Sequence, residues 1–212
     1  MAVDYSRQRN LFDHEKVGRI PITIIGAGSI GSFTCLMLAK VGFTNITVID
    51  FDTVEEHNLP NQFFPMDAVG KEKTLALRDM VKLFTGVDIR TETKKFDMSV
   101  VEGVVIMAVD KMDVRQEIFK VFFKSDNCLG FVDARMGGLE FRVFTITHDT
   151  MDRWIWYPDG EAVQERCGER SIIYNVGCVS SIVTAQVCRL VQGKDIDPEI
   201  VCSMDAFNLM KV

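Results

Sequence analysis

The chain has 212 residues, of which 47% are hydrophobic, and its formal net charge is −6. This composition excludes a disordered chain, and the length suits one α/β domain, which we expect to span residues 1–212. An acidic chain offers no basic surface to phosphate backbones, so we expect no nucleic-acid partner. No apolar run approaches the ~20 residues of a membrane-spanning helix, and the polar N-terminus is not typical of a secretory signal. We therefore expect a cytoplasmic protein without membrane contact.

The six cysteines form no C-x-x-C pair. Zinc sites of the common structural type need such pairs, so we expect no structural zinc. Most of the cysteines lie in apolar stretches, which is typical of reduced, buried thiols.

Short β-branched runs alternate with amphipathic helical stretches along the chain. This alternation predicts an α/β fold with a doubly wound, mostly parallel Rossmann-like sheet and antiparallel strands in the C-terminal half. In chain order we predict strands at 20–25, 45–50, 89–93, 104–108, 129–134, 139–147 and 199–204. Helices are predicted at 29–41, 71–84, 114–123 and 176–190. Residues 51–70 are expected to be irregular, and a long loop precedes the last helix.

A G-x-G-x-x-G pattern, Gly26, Gly28 and Gly31, lies between the first predicted strand and helix. In that position the glycines let backbone approach a phosphate closely, and the helix N-terminus supplies amide donors. Asp50 ends the second predicted strand, where a carboxylate can accept hydrogen bonds from ribose hydroxyls. These features fit either NAD or ATP.

The residues that follow distinguish the two nucleotides. Carboxylates, amides and lysines come just after the second strand, namely Asp52, Asn58, Gln62, Lys71 and Lys73. Asp110 ends the apolar run 104–109, where its carboxylate can hold Mg²⁺. A nicotinamide enzyme needs neither the lysines nor a metal-binding acid. The set therefore favours a nucleoside triphosphate.

The same residues form an ordered series of motifs. The series comprises Tyr5-Ser6-Arg7-Gln8, the glycine turn, 50–54, Asn58-Leu59-x-x-Gln62, 70–73, the strand ending at Asp110, Arg135-Met136-Gly137-Gly138 and 200–206. Over nearly the whole chain, these motifs resemble the ThiF/MoeB family of ubiquitin-like-protein activating enzymes.

The resemblance implies the ligands and partners. ATP and Mg²⁺ are the implied cofactors, with Asp110 positioning Mg²⁺. ATP would be held by Gly26, Gly28, Gly31, Asp50, Asp52, Asn58, Gln62 and Lys73. Arg7 would reach the phosphates of a neighbouring subunit, so a homodimer is implied. The substrate would be a ubiquitin-like protein or peptide with a C-terminal glycine.

The resemblance also implies the reaction. The substrate's carboxylate would attack the α-phosphate of ATP to give an acyl-adenylate and pyrophosphate. Carboxylate and triphosphate are both anionic, so positive charge from Lys73 and Arg7 is required where they meet.

Three positions bear on how far the resemblance extends. Asn61 stands where many relatives carry arginine, and the segment 154–158 stands where bacterial relatives carry a zinc-binding C-x-x-C pair. Cys167 matches the position of a cysteine that forms a thioester or persulfide in relatives, and the flanking Arg166 and Arg170 favour its thiolate form. The alternative for Cys167 is a loop cysteine without a role.

Other functions stay open at this point. A catalytically inactive partner subunit of the same fold is favoured by Asn61 alone, whereas the retention of Asp50, Lys73 and Asp110 argues against it. An enzyme that adenylates a short peptide or a tRNA-bound carboxylate is a close variant of the main hypothesis. A nicotinamide-dependent oxidoreductase is disfavoured by the residues suited to a triphosphate.

Overall fold

The computed structural model describes residues 3–99, 101–155 and 171–212. The strands are β1 Ile22–Ile25, β2 Ile46–Ile49, β3 Arg90–Glu92, β4 Gly103–Met107, β5 Cys128–Gly137, β6 Glu140–Ile146, β7 Glu199–Ser203 and β8 Asn208–Lys211. The α-helices are α1 His14–Val17, α2 Ser29–Val41, α3 Lys73–Thr85, α4 Met112–Phe123 and α5 Ile173–Val191. Three 3₁₀ helices lie at Glu56–Asn58, Met66–Ala68 and His148–Arg153. Across the described ranges, no helix combines the length and apolar character needed to cross a membrane.

The strands form one eight-stranded sheet in the order β3-β2-β1-β4-β5-β6-β7-β8. Neighbouring strands from β3 to β5 are parallel, and those from β5 to β8 are antiparallel. This confirms the predicted doubly wound sheet with antiparallel strands in its C-terminal half. The winding direction reverses between β1 and β4, and ligands of such sheets bind outside the carboxyl ends of the strands at that reversal.

Helices cover both faces of the sheet. One hydrophobic cluster packs α2, α3 and α5 against the sheet, and a second packs α4 against the opposite face. The central strand β4 is buried throughout, with Val104 and Ile106 in the first cluster and Val105 and Met107 in the second. A strand buried on both faces needs an uninterrupted apolar run, which is why this segment was recognisable from sequence.

The helix α2 begins at the point where the winding reverses, and its bounds are those predicted. It ends because Gly42 adopts a left-handed conformation (φ +119°) and donates its amide to the carbonyls of Leu38 and Ala39. The helix α5 packs alongside α2, and the Ser180 hydroxyl donates to the carbonyl of Ile30 (3.3 Å). The two helices therefore form one layer on the same face of the sheet, in which α5 covers β5 and β6.

Besides shifts of up to three residues at helix and strand ends, three differences from the predictions affect the elements themselves or their pairing. The short helix α1 and the edge strand β8 were not predicted, and β5 continues to Gly137 rather than ending at 134. The residues of β8 are exposed, so they lack the apolar alternation that marks a half-buried strand. The extension of β5 pairs with β6, from Ala134 opposite Val143 to Gly137 opposite Glu140. Pairing across the turn thus lengthens the strand beyond its own apolar run.

Candidate functional site

The glycine turn lies at the carboxyl end of β1, where the winding reverses. Gly26 has φ +100°, and a Cβ there would lie 2.5 Å from the carbonyl oxygen of Ala108. A Cβ on Gly31 would lie 1.9 Å from the carbonyl oxygen of Gly26. Both glycines are therefore required for close backbone packing, and they place the turn directly beside the end of β4.

Gly28 has a different environment from the other two glycines. It is the N-cap residue of α2, and no side chain in the described part of the molecule caps this helix end. The nearest atom to a Cβ on Gly28 would be Nε2 of Gln62, at 4.0 Å. An uncapped helix N-terminus with open space at Gly28 suits a phosphate, because its amides can donate and the helix dipole favours an anion.

Asp50 organises the backbone around this turn. One carboxylate oxygen accepts the amide of Ala27 (2.6 Å), and the other accepts the amide of Asp52 (2.7 Å). The sequence predicted a ribose ligand, and the structure adds a role in holding the two loops together. A carboxylate offers about four lone-pair sites, so these two bonds leave acceptor capacity for ribose hydroxyls.

Lys73 is paired with Asp52. Its ammonium Nζ lies 3.0 Å from Oδ2 of Asp52, and the lysine side chain is 9% exposed whereas that of Asp52 is 49% exposed. The Lys73 amide also donates to the Asp52 carbonyl (3.0 Å), which fixes the start of α3 against the segment after β2. The site thus holds a nearly buried cation whose partner is open to solvent.

Asn58 and Gln62 belong to the irregular segment between β2 and α3. The side-chain oxygen of Asn58 accepts the Glu55 amide (2.9 Å), so this group is used in the turn itself. The Phe63 amide donates to the hydroxyl of Ser32 (3.0 Å), which ties the segment to α2. Oε1 of Gln62 is buried without a hydrogen-bond partner among the described residues. An unpaired buried acceptor beside the glycine turn fits a ligand hydroxyl.

Asp110 lies beyond the carboxyl end of β4, on the side where the glycine turn packs. The Ala108 amide donates to the Ile25 carbonyl (2.8 Å), and Ala108 Cβ would lie 3.4 Å from a Cβ on Gly31. Asp110 itself is exposed. Within the described ranges, no group of three or more His, Cys, Asp or Glu side chains is arranged for a metal. One carboxylate is nevertheless the usual protein contribution to Mg²⁺ bound through substrate phosphates.

One predicted site residue, Arg7, is not brought to this edge of the sheet. Arg7 is exposed, and its neighbours Tyr5 and Gln8 hydrogen-bond the carbonyls of Ala39, Lys40 and Val41 at the far end of α2. Cys167 lies outside the described residues, so its predicted role stays a prediction.

Asn61, which stands where relatives carry arginine, has a protein partner. Its side-chain amide donates to the hydroxyl of Ser171, just before α5. The segment that carries Gln62 is thereby connected to the beginning of α5. The side chain at the position where the resemblance implied an arginine in relatives is therefore used for a contact within the protein.

Sequence reasoning missed a buried cluster beside the site. It consists of Arg115, Asp133, Arg135 and Trp154, and we call it the Asp133 cluster. Asp133 is fully buried and accepts hydrogen bonds from the other three residues. The signal that could have revealed it is a carboxylate inside the apolar run 131–134, because a charge at such a position needs partners.

Comparisons with known proteins agree with this geometry. The model of the ThiF family matches residues 5–211. Ubiquitin-like modifier-activating enzyme 5 of Drosophila simulans is 31% identical over 91 residues, which are 43% of this chain and 22% of that protein. Its counterpart in Oryza sativa subsp. japonica is 32% identical over 93 residues, or 43% of this chain and 21% of that protein. The chain thus spans about a fifth of the length of these curated relatives.

Solved structures share the fold. PaaA has a TM-score of 0.77 at 19% identity, with 94% of this chain and 65% of that chain covered. Escherichia coli MccB, solved with ATP, has a TM-score of 0.78 at 16% identity and the same coverage. The same enzyme, solved with MccA-N7isoASN, has a TM-score of 0.81 at 16% identity and covers 94% of this chain and 66% of that one. Since the family model spans nearly every residue described, from the segment around Arg7 to β8, the chain belongs to the ThiF family.

Proposed function

We propose that this protein uses ATP to adenylate the C-terminal carboxylate of a ubiquitin-like protein or peptide whose tail ends in glycine. The observation that carries the proposal is the assembly of the nucleotide set at one edge of the sheet. There the uncapped N-terminus of α2, the carboxylate of Asp50, the unpaired Oε1 of Gln62 and the buried Lys73 converge around the point where the winding reverses. Asp110 follows β4 at the same edge.

The names of similar proteins support the substrate class. The curated relatives are ubiquitin-like modifier-activating enzymes, and MccB has been solved with ATP and with MccA. These partners differ in kind, which is why both a ubiquitin-like protein and a peptide are retained in the proposal. Adenylation of a tRNA-bound carboxylate is a variant that no observation on this chain favours.

The chemistry joins two anions. A carboxylate oxygen of the tail attacks the α-phosphorus of ATP, the bond to the bridging oxygen breaks, and pyrophosphate leaves. The protein's part is to align the groups and to offset their charge, and alignment alone can supply several kcal/mol, up to roughly 7–11. The amides of the glycine turn and the ammonium of Lys73 would face the phosphates, and Asp50 and Gln62 would fix the ribose. Mg²⁺ at Asp110 would neutralise phosphate charge when bound.

Local charge supports a second subunit in the reaction. Asp50, Asp52 and Asp110 place three carboxylates at this edge, and the Lys73 ammonium that lies there is already paired with Asp52. A triphosphate therefore needs further positive charge. Arg7 of the same chain is held near the far end of α2, about 16 Å along the helix axis from its start. Since an arginine side chain does not span that distance, Arg7 suits the site of a neighbouring copy.

The exposed side of α2 and α5 is suited to such a neighbour. From Ile173 to Cys188, α5 carries no charged residue, and α2 carries none before Lys40. Solvated helix faces normally carry charges, so an uncharged pair of helices favours contact with protein. A twofold axis that runs α2 antiparallel to its copy would bring the end anchoring Arg7 near the partner's glycine turn.

The test is ATP–pyrophosphate exchange by purified protein with Mg²⁺, with and without candidate glycine-ended proteins and peptides. We expect exchange only when a suitable tail is present, and its loss in Asp110→Ala. Lys120→Gln, an exposed change on α4, serves as the matched control.

If ATP binds but no tail supports exchange, the function is the alternative one, a nucleotide-binding partner subunit. The link between Asn61 and Ser171 is the observation that favours this alternative, because it leaves position 61 without a phosphate-facing cation. If ATP does not bind, both proposals are wrong.

A further inference from the structure

The Asp133 cluster lies directly beside the end of β4. Asp133 is opposite Met107, the last residue of that strand, in the register between β4 and β5. Its carboxylate accepts a hydrogen bond from Nη1 of Arg115 and two from Arg135, through Nε (2.8 Å) and Nη2 (2.7 Å). It accepts a fourth from Nε1 of Trp154 (2.8 Å). Two guanidinium groups and one indole thus share one fully buried carboxylate.

Arg115 connects this cluster to the segment that carries Asp110. Its Nη2 donates to the carbonyl of Val109, the residue before Asp110, and to the carbonyl of Ala134 (3.1 Å). Strand pairing of β4 ends at Met107, and the Ala108 amide makes the last hydrogen bond to β1. Beyond that point, the Arg115 guanidinium anchors the backbone next to Asp110.

Trp154 holds the opposite side of the cluster. Its ring stacks on Phe119 of α4, with centroids 4.3 Å apart and planes 17° from parallel. Its indole N–H and the guanidinium of Arg135 donate to the same oxygen, Oδ2 of Asp133. The other oxygen, Oδ1, accepts Arg115. The direction of the Asp133 carboxylate, and with it the position of Arg115, is therefore held by Trp154 together with Arg135.

A packing role alone does not account for this arrangement. Removing charges from water costs several kcal/mol per ion, and well-packed apolar residues often replace buried ion pairs without loss of stability. What a planar guanidinium provides is a fixed set of donors that reach several acceptors at once. Here those acceptors belong to β5 and to the end of β4, so the cluster fixes one strand end relative to the other.

We propose that Arg115 is a positioning residue that sets the backbone at Val109 and so directs the Asp110 carboxylate, with Trp154 and Asp133 holding Arg115 in place. The importance of that direction rests on the proposed function, in which Asp110 helps to hold Mg²⁺ bound to ATP. The claim that Arg115 fixes the backbone at Val109 does not depend on the proposed function.

Three charge-conserving variants test the proposal: Arg115→Lys, Trp154→Phe and the control Lys120→Arg. Lysine keeps the charge of Arg115 but cannot reach all of its acceptors, and phenylalanine keeps the stack on Phe119 but loses the N–H donor. Lys120 lies on the same helix and is exposed. Trp154→Phe makes the smaller change, so it remains informative if Arg115→Lys does not fold.

The first measurement is amide hydrogen exchange of residues 108–111 without nucleotide. Losing one hydrogen bond of about 0.5–1.5 kcal/mol predicts exchange about two- to twelvefold faster in both test variants and unchanged in the control. The second is the affinity for a fluorescent ATP analogue with and without Mg²⁺. Without Mg²⁺, we expect both test variants to bind the analogue within twofold of the affinity of the parent protein. The increase in affinity that Mg²⁺ produces should be two- to twelvefold smaller in the test variants than in the parent.

Unchanged hydrogen exchange in the folded variants would overturn the proposal and leave the proposed function standing. Faster hydrogen exchange would also overturn the proposal if Mg²⁺ increased the affinity for the ATP analogue as much as it does in the parent protein. Asp110 would then be directed by other contacts. Failure of the parent to catalyse pyrophosphate exchange would count against the proposed function, and the hydrogen-exchange result would still decide whether Arg115 holds the segment.

Discussion

Substituting Gly28 and Gly31 separately distinguishes the fold from the nucleotide cradle. At Gly31 a Cβ would lie 1.9 Å from a backbone oxygen, so Gly31→Ala must displace the glycine turn. Overpacking of this kind costs about 1–3 kcal/mol or more of folding stability. At Gly28 the nearest atom would be 4.0 Å away, and the backbone (φ −78°, ψ −150°) is extended. Gly28→Ala should therefore cost no more than about 1 kcal/mol, the difference between glycine and alanine at an N-cap.

The effect of Gly28→Ala on ATP should be much larger than its effect on stability. A methyl group at the N-cap would occupy the space through which a phosphate reaches the amides of α2. Loss of one hydrogen bond to a charged group costs about 1.5–3 kcal/mol, which corresponds to a roughly 10- to 150-fold weaker Kd. Isothermal titration with ATP and urea unfolding of the same preparations measure both quantities. An unchanged Kd in Gly28→Ala would refute the placement of a phosphate at this turn.

Two further expectations follow from burial and charge. Lys73→Met should destabilise the fold by less than about 1 kcal/mol in urea unfolding, because its partner Asp52 is half exposed and stays solvated. The same substitution should raise the KM for ATP at least tenfold, because it removes an ammonium that would face the phosphates. A KM equal to that of the parent protein would contradict this role of Lys73. Burial raises the pKa of Cys35, of Cys128 to about 11 and of Cys188 to about 12. These thiols are therefore protonated at pH 7 to 9. Peptide mapping after iodoacetamide treatment of the native protein should find all three cysteines unmodified. In protein unfolded in urea, the same treatment should modify all three.

Local signals explain what the sequence predicted well. The bounds of α2 followed from a glycine turn before it and Gly42 after it, both of which act within a few residues. The strand β4 was evident from its apolar run. The approach of Asp50 to the glycine turn followed from the parallel order of β1 and β2, which brings their carboxyl ends together. The chemical roles of these residues stay predictions until nucleotide binding is measured.

The contacts that the sequence did not predict are tertiary. Arg115 meets Asp133 across 18 residues, and Trp154 meets it across 21, because α4 and the 3₁₀ helix that follows β6 fold back on the same strand. No periodicity within one element encodes such a meeting. The place of Arg7 within its own chain is likewise set by tertiary contacts, since the hydrogen bonds of Tyr5 and Gln8 hold this segment at the far end of α2. The exposed strand β8 lacked any apolar pattern.

The pairing of α2 with α5 has a consequence for how the chain is made. The Ser180 hydroxyl reaches the carbonyl of Ile30 across 150 positions of sequence. During synthesis, the residues of the first βαβ unit emerge long before α5 exists to cover the flank of α2. Contacts between such distant segments slow folding, because the intervening chain must lose its freedom before they form. We expect the nascent N-terminal half to keep an apolar flank open until the last third of the chain is complete, which makes this interval the time when the protein depends most on chaperones.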